Sequence, residues 1–255
     1  DFAAALRAGL AEARVVALAQ NPDAAPDAKT PAEVRRGVEA SLNGRVPAAY
    51  VEKFFSDSRL RVIDGIIGNF AGGGGGVPYE QYRDQFINPR GLAAGASFLS
   101  EQGVTLSTVS ARFGVDAYLL AALSGVETRF GAFTGKIPIG AALWTIARKV
   151  PRRSDWAVRE IAELLTFSFA EDEDAHLLRG SYAGAFGLVQ FMPSSANAYA
   201  VDFNADGKRR FYEWPDALAS AANYLVRHGY RAGEPFTPAS PIGRSIFAYN
   251  HSEYY

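Results

Sequence analysis

The stretch Leu123-Ser-Gly-Val-Glu127-Thr-Arg-Phe-Gly131 places a single carboxylate at the end of a long apolar run. The apolar run is predicted to be helical, so Leu120 and Leu123 share a face with Glu127. Burial disfavours the charged form of a carboxylate, and the partial negative charge at a helix C-terminus acts in the same direction. We therefore expect a raised pKa at Glu127, which suits a general acid working near neutral pH.

A second interpretation of Glu127 stays open at this point. A glutamate at a helix end also pairs with a neighbouring base for structural reasons, and Arg129 is available for that. Other catalytic classes are easier to exclude. The chain has no cysteine, so a disulfide, a thiolate metal site and a cysteine nucleophile are ruled out. No sequence feature pairs His251 with a serine nucleophile.

The composition is that of an ordinary soluble globular protein. Apolar residues make up 48% and charged residues 21% of the 255 residues, which suffices for one large domain or two small ones. The 26 basic and 27 acidic residues nearly cancel, so we expect no nucleic acid partner held by charge. No apolar stretch of about 18 residues occurs, so no spanning helix is predicted. The start at Asp1 fits a cytoplasmic protein or a mature chain that has lost an export signal or anchor.

The hydrophobic spacing and the helix-start signals predict a mainly α fold. Residues 1–20 carry alanine and leucine at helical spacing. Thr30-Pro31-Ala-Glu33 is a helix-start signature, and the helix is expected to end near Leu42. Ser154 is expected to be the N-cap of a further amphipathic helix. From Gly91 onward the chain should be mostly helical, with breaks at three glycines, Gly103, Gly114 and Gly131.

Two glycine-rich segments interrupt this pattern. The glycine run 72–76 is interpreted as a linker or mobile loop, because no Lys-Ser/Thr follows it. The segment 180–187 is rich in small residues, which lets backbones approach each other or a ligand closely. Gln190 follows among apolar residues, so it must find partners in backbone groups or in a ligand amide. Pro193 is expected in the first turn of the next helix.

The segment Asp202-Phe-Asn204-Ala-Asp206-Gly207-Lys208 fits the first seven positions of a calcium loop. Oxygen-bearing side chains occupy positions 1, 3 and 5, glycine occupies position 6, and position 7 offers its carbonyl. Either Glu213 or Asp216 can close the coordination shell. The alternative is a surface turn without metal, since basic residues follow directly. A calcium ion here is expected to be structural, because no histidine cluster accompanies it.

The end of the chain combines aromatic rings with hydrogen-bonding groups. Tyr249, Asn250 and the residues around them suit sugar rings, which present apolar faces and polar rims. The alternative is that the tyrosines belong to the core.

Taken together, five segments resemble the membrane-bound lytic transglycosylase B family of bacterial peptidoglycan-cleaving enzymes. They are residues 127–131, 180–195, 200–207, 222–225 and 249–250, in that order. Before residue 85 the resemblance rests mainly on the junction 82–89. It implies a lysozyme-like helical catalytic core over residues 85–255, with a small β element and an EF-hand-like calcium loop. Residues 1–84 would form an N-terminal helical region that ends in the glycine-rich loop.

The resemblance also implies a reaction and a site. Such enzymes cut the β-1,4 bond between N-acetylmuramic acid and N-acetylglucosamine without water and leave a 1,6-anhydromuramoyl end. Glu127 falls on the position of the sole catalytic acid/base. The substrate-groove positions are Ser181, Gln190, Tyr224, Tyr249, Asn250 and Arg153. Calcium is the implied cofactor, and its ligand positions are Asp202, Asn204, Asp206, Lys208 through its carbonyl, and Asp216.

The implied partner is the peptidoglycan glycan strand, in the periplasm of the bacterial cell envelope. Cell-wall synthesis or remodelling proteins are further candidate partners, a membrane anchor in the full-length form stays open, and we expect a monomer. Two rival functions remain. A hydrolytic lysozyme would share the fold but needs a water-activating carboxylate facing Glu127, and the acidic run 171–174 offers one, although such runs are typical of solvated loops. A peptidoglycan-binding module without turnover would not need Glu127.

Overall fold

The computed structural model describes residues 27–70 and 78–250, and the described chain is mainly helical. Its ten α-helices, α1 to α10, are Pro31–Leu42, Ala48–Ser56, Tyr79–Arg83, Pro89–Phe113, Ala117–Thr128, Ile139–Lys149, Ser154–Ala170, Pro193–Tyr199, Trp214–Arg227 and Pro241–Tyr249. Two 3-10 helices cover Asp64–Phe70 and Pro151–Arg153. Strands β1 (Ile137–Pro138) and β2 (Arg179–Gly180) pair antiparallel and form the predicted small β element. The predictions for residues 1–20, for the glycine run and for His251 lie outside the described residues.

Hydrogen bonds at the ends of the first helix confirm the predicted start and end of α1. The Glu33 amide donates to Thr30 Oγ1 at 3.3 Å, and the Thr30 amide donates to the Glu33 carboxylate at 2.7 Å. This reciprocal pair is a capping box, and α1 ends at Leu42 as expected. The prediction for Ser154 was wrong. Ser154 is the first residue of α7, and its hydroxyl donates to the Ala147 carbonyl at 2.6 Å, so it joins α7 to α6 rather than capping it.

Helix α4 is longer than the glycine pattern suggested. Asn88 caps it by accepting a hydrogen bond from the Gly91 amide, and Gly114 ends it with a left-handed φ of 69°. Gly103 lies inside the helix, so the predicted break there was wrong. Glycine weakens a helix by about 1 kcal/mol relative to alanine, which the packing of α4 against α5 and α9 compensates.

The core is built around α6 and α7. Every residue from Ile139 to Ala147 in α6 is buried, and α7 packs against α6, α1 and α8. Val34 and Val38 of α1 are fully buried in this same hydrophobic cluster. Helix α1 therefore shares one core with the helices that follow residue 85.

Among the described residues, no single helix is long and apolar enough to cross a membrane. Only α4 and α5 together reach that length and composition, and they are bent by 118° relative to each other.

Candidate active site

Glu127 lies in the last turn of α5, as the sequence predicted. Leu120 and Leu123 are 1% and 4% exposed, so the apolar face of this helix is buried. The Glu127 residue itself is half-buried, because it lies where the buried face meets the surface at the helix end. The predicted helix and its buried face are thus confirmed.

The end of α5 is fixed by Thr128, which sequence reasoning did not single out. Its buried hydroxyl donates to the Leu188 carbonyl at 2.9 Å and accepts a hydrogen bond from the Gly131 amide at 3.0 Å. The chain then turns through left-handed conformations at Arg129 (φ 50°), Phe130 (φ 57°) and Gly131 (φ 87°). These contacts connect the helix end that carries Glu127 to the segment 180–190.

The negative charge of Glu127 acts on two tyrosines from distant parts of the chain. Burial and the negative charge of Glu127 raise the pKa of Tyr82. Burial, the charge of Glu127 and the neighbouring Tyr224 raise the pKa of Tyr249 well above its usual value. We call Glu127, Tyr82 and Tyr249 the Glu127 cluster. Tyr82 was not predicted as a site residue, although it begins the junction 82–89 that contributed to the family resemblance.

Gln190 has a left-handed backbone (φ 50°) beside the Glu127 cluster. Its side-chain amide donates to the carbonyls of Thr134 and Gly187, at 3.1 and 2.8 Å. Both amide hydrogens are therefore committed to the backbone, and the side-chain oxygen is the group left to accept a hydrogen bond. The sequence left backbone and ligand partners open for Gln190, and the structure provides the backbone partners.

Ser181 lies in the predicted close-packed loop, at the end of β2. Its side-chain oxygen accepts hydrogen bonds from the amides of Ala183 and Ala185, at 3.3 and 3.1 Å. The hydroxyl proton remains available as a donor. A Cβ on Gly180 would lie 1.9 Å from the Ala185 carbonyl oxygen, so only glycine allows this turn.

The predicted groove tyrosines pack against each other. Tyr249 donates from its hydroxyl to the Val189 carbonyl at 2.7 Å, and Tyr224 donates to the Ala248 carbonyl at 2.7 Å. Their ring centroids are 5.0 Å apart in an edge arrangement. Tyr224 is only 9% exposed, so it packs against Tyr249 from within the core. Asn250 follows as the exposed C-cap of α10.

Arg153 lies at the start of α7, exposed and in contact with aromatic rings. Its guanidinium carbon is 5.9 Å from the centroid of Phe70 and 5.5 Å from that of Trp156. Phe70 in turn packs edge-on against Tyr182 at 5.5 Å, next to Ser181. This chain of contacts connects Arg153 to the loop 180–187.

The acidic loop has the turn geometry that its sequence predicted. Asp202 accepts hydrogen bonds from the amides of Asp206 and Gly207, at 3.1 and 2.9 Å. Asn204 accepts from the same Asp206 amide, at 3.1 Å. Asp216 is 2% exposed and accepts from the amides of Phe203 and Arg210, at 2.9 and 2.8 Å. The described residues contain no group of three or more His, Cys, Asp or Glu side chains placed to hold a metal.

The acidic run 171–174 is not a solvated loop. Glu171 is 6% exposed, and its carboxylate accepts hydrogen bonds from the backbone amide and side chain of Arg209. Asp174 pairs with Arg59 at 2.9 Å. Only Asp172 in this run is exposed. The expectation was wrong because partners distant in sequence neutralise these charges.

Comparison with known proteins gives a relative with a longer chain. The membrane-bound lytic murein transglycosylase B of Escherichia coli K12 is 38% identical over 154 residues, which make up 60% of this chain and 43% of that protein. The chain thus spans less than half the length of this relative.

Two solved structures share the fold. SltB3 of Pseudomonas aeruginosa, in complex with NAG-anhNAM-pentapeptide, is 30% identical, with a TM-score of 0.74 over 82% of this chain and 56% of that one. The lytic transglycosylase Slt35 of E. coli, in complex with calcium, is 31% identical, with a TM-score of 0.69 over 78% of this chain and 65% of that one. The mainly helical, lysozyme-like transglycosylase fold that the sequence predicted is confirmed.

The family assignment covers most of the chain. The model of the transglycosylase SLT domain matches residues 32–252. This range contains Glu127, the segment 180–190 and the acidic loop, and it confirms the resemblance that the sequence motifs indicated. The chain therefore belongs to the transglycosylase SLT domain family.

Proposed function

We propose that this chain is a peptidoglycan lytic transglycosylase with Glu127 as its single acid/base. The observation that carries the proposal is the half-buried Glu127 at the end of α5, which Thr128 joins to the segment that carries Gln190. Burial and the charge of Glu127 raise the pKa of Tyr82 and Tyr249. Membership of the transglycosylase SLT domain family supports it. So does the NAG-anhNAM-pentapeptide bound to SltB3, because that ligand has an anhydro end.

The proposed reaction needs one proton donor that becomes a base. Glu127 gives its proton to the glycosidic oxygen between N-acetylmuramic acid and N-acetylglucosamine, and the bond from the anomeric carbon to that oxygen breaks. The C6 hydroxyl of the same muramoyl residue then bonds to the anomeric carbon and returns its proton to Glu127. One bond breaks, one forms, and the carboxyl regains its starting state without water or a second carboxylate.

The neighbouring side chains would hold the substrate in place. The Gln190 side-chain oxygen can accept a hydrogen bond from an N-acetyl amide, and Ser181 can donate one from its hydroxyl. Tyr249 would offer its ring face to a sugar, because its hydroxyl is committed to the Val189 carbonyl. Asn250 and Arg153 are exposed and would meet the polar rim of the glycan and an acidic stem-peptide group.

The acidic run 171–174 supports anhydro formation over hydrolysis. A lysozyme would need a second carboxylate facing Glu127 to activate water. Glu171 is bound to Arg209 and Asp174 to Arg59, so both carboxylates hold other parts of the fold together.

Analysis of the products tests the proposal. Digests of purified peptidoglycan in oxygen-18 water should give anhydromuramoyl ends without solvent label, as measured by mass spectrometry. Chains of N-acetylglucosamine alone should be poor substrates, because they lack the lactyl ether and stem peptide. Labelled reducing ends as the main product would make the chain a hydrolase with the same fold, and absence of cleavage with retained glycan binding would favour a binding module.

A single substitution tests the role of Glu127. Glu127→Gln should lower the cleavage rate by at least roughly a thousandfold, because the amide is nearly isosteric but exchanges no proton. Folding and glycan binding should be retained, as checked by circular dichroism and sedimentation with peptidoglycan. Turnover within tenfold of the wild-type rate would remove Glu127 from this role.

We also propose that the acidic loop binds a structural calcium ion. Asp202 and Asn204 accept from the same Asp206 amide, Asp206 accepts from the Lys208 amide, and carboxylates keep lone pairs beyond those bonds. The Lys208 ammonium donates to the Glu171 carbonyl. The backbone carbonyl of Lys208 would bind the ion. Asp216, buried against the loop, suits the closing position better than Glu213, which is exposed. Calcium bound to Slt35 supports the choice of metal.

The remaining proposals concern the protein's parts and setting. Residues 85–255 would form the catalytic core, since Glu127, Ser181 and Gln190 all lie there. Residues 1–84 would form an accessory helical region, whose last residues bring Tyr82 to the site. We propose the periplasm as the working compartment and peptidoglycan strands as the partner, with a monomer as the acting form. The membrane-bound relative in E. coli and the peptide ligand of SltB3 support this setting.

A further inference from the structure

The segment 79–86 carries Tyr82, on which the charge of Glu127 acts, and no residue of this segment is buried. Helix α3 (Tyr79–Arg83) buries none of its residues. Within the segment, Tyr82 packs edge-on against Phe86, with ring centroids 5.2 Å apart. A contact that holds Phe86 in place therefore also determines where Tyr82 lies.

Arg129, at the end of α5, provides such a contact. Its guanidinium carbon is 5.9 Å from the ring centroid of Phe86 and 5.8 Å from that of Phe133. Arg129 is also the C-cap of α5, and its amide donates to the Gly125 carbonyl at 3.0 Å. Its side chain thus starts two residues after Glu127 and reaches the segment that carries Tyr82.

We propose that Arg129 is a positioning residue that holds the segment 79–86 against the end of α5 through the ring of Phe86. The planar guanidinium contacts an aromatic ring on each of two segments, and this attraction does not need burial. Arg129 would act on catalysis only through Phe86 and Tyr82. The inference rests on the proposed role of Glu127, but the position of the segment can be measured without activity.

Hydrogen–deuterium exchange of the whole chain tests the contact directly. Amides 79–86 should exchange roughly threefold to tenfold faster in Arg129→Gln than in the wild type, because two exposed cation–π contacts are lost. Glutamine keeps a polar but uncharged side chain, and like arginine it carries a Cβ at the left-handed φ of 50°. The matched control is Arg112→Gln. The Arg112 guanidinium carbon also lies near two phenylalanine rings, at 5.6 and 5.2 Å from their centroids, and Arg112 also lies in the last turn of a helix. Unchanged exchange in Arg129→Gln would overturn the inference.

Kinetics with a soluble glycan fragment test the consequence for turnover. Arg129→Gln should lower kcat/KM roughly tenfold, and Arg129→Lys should recover part of the loss, because lysine keeps the charge but not the planar group. In a Phe86→Leu background, Arg129→Gln should have little further effect, because both changes break the same contact. Additive losses would overturn the proposed route through Phe86. If the wild type does not cleave, the proposed function fails, and the exchange data alone decide whether Arg129 holds the segment.

Discussion

At the residue scale, Thr128 shows how one buried hydroxyl places the candidate acid. It is 1% exposed and follows Glu127 directly. Its donation to Leu188 and its acceptance from Gly131 join the end of α5 to the segment that carries Gln190. The orientation of Glu127 relative to Gln190 thus depends on this residue.

Thr128→Val is therefore expected to be costly. Valine has nearly the same shape but leaves a buried carbonyl and a half-buried amide without their partner, which should lower the free energy of unfolding by about 1–3 kcal/mol. Urea denaturation measures this loss. Thr128→Ser keeps the hydroxyl and serves as the control, with a smaller loss. Equal stability of the valine variant and the wild type would contradict the role assigned to the hydroxyl.

At the scale of elements, a buried carboxylate joins α7 to α8. Glu160 is 5% exposed, and it accepts hydrogen bonds from the Ser194 amide at 3.0 Å and from the Ser194 hydroxyl at 2.7 Å. Burial raises the pKa of Glu160, although the hydrogen bonds from Ser194 oppose the shift. Glu163 adds to the shift and Arg159 opposes it. The raised pKa means that the folded state binds this proton more tightly than the unfolded state does.

Glu160 is therefore expected to make the stability of the protein fall as the pH rises. The stability that Glu160 contributes as a neutral acid is present below its unfolded pKa, near 4.5, and is lost as the pH rises through its folded pKa. Glu160→Gln should therefore have a higher Tm than the wild type at pH 7 and an equal one near pH 4, measured by calorimetry. The glutamine amide can donate to Ser194 Oγ while its oxygen accepts from the Ser194 amide. A lower Tm for the variant at pH 7 would refute the argument.

At the scale of the whole molecule, the acidic loop is held from two directions. Glu171 binds Arg209 through backbone and side chain, and Lys208 donates to the Glu171 carbonyl. Asp216 holds the loop from α9. Partners outside the loop and Asp216 of α9 thus both help to hold its shape.

Calcium is expected to stabilise this folded loop further. At a hundred times its Kd a ligand adds about 2.7 kcal/mol to the free energy of unfolding, so millimolar calcium should raise the Tm by several degrees. Asp206→Ala should lose the response, and Glu101→Ala, which removes an exposed carboxylate on α4, should keep it. Differential scanning fluorimetry with calcium and with a chelator measures both. No shift in the wild type would favour the alternative of a turn without metal.

Features that depend on neighbouring residues could be predicted from the sequence alone. The capping box of Thr30 and Glu33 joins residues three positions apart. The helix that carries Glu127 in its last turn follows from the spacing of Leu120 and Leu123. The turn geometry of the acidic loop likewise arises within a few residues. Such signals are readable because the interacting groups lie within one or two turns of each other.

The surroundings of Glu127 depend on the tertiary structure and could not be predicted from the sequence pattern. Tyr82 precedes Glu127 by 45 residues and Tyr249 follows it by 122, and no period in the sequence encodes that the charge of Glu127 acts on both. Glu171 has the sequence context of a solvated acid, yet it is buried because Arg209, 38 residues away, neutralises it. The burial of a charge depends on its partner, and the partner is placed by packing of the helices rather than by neighbouring residues.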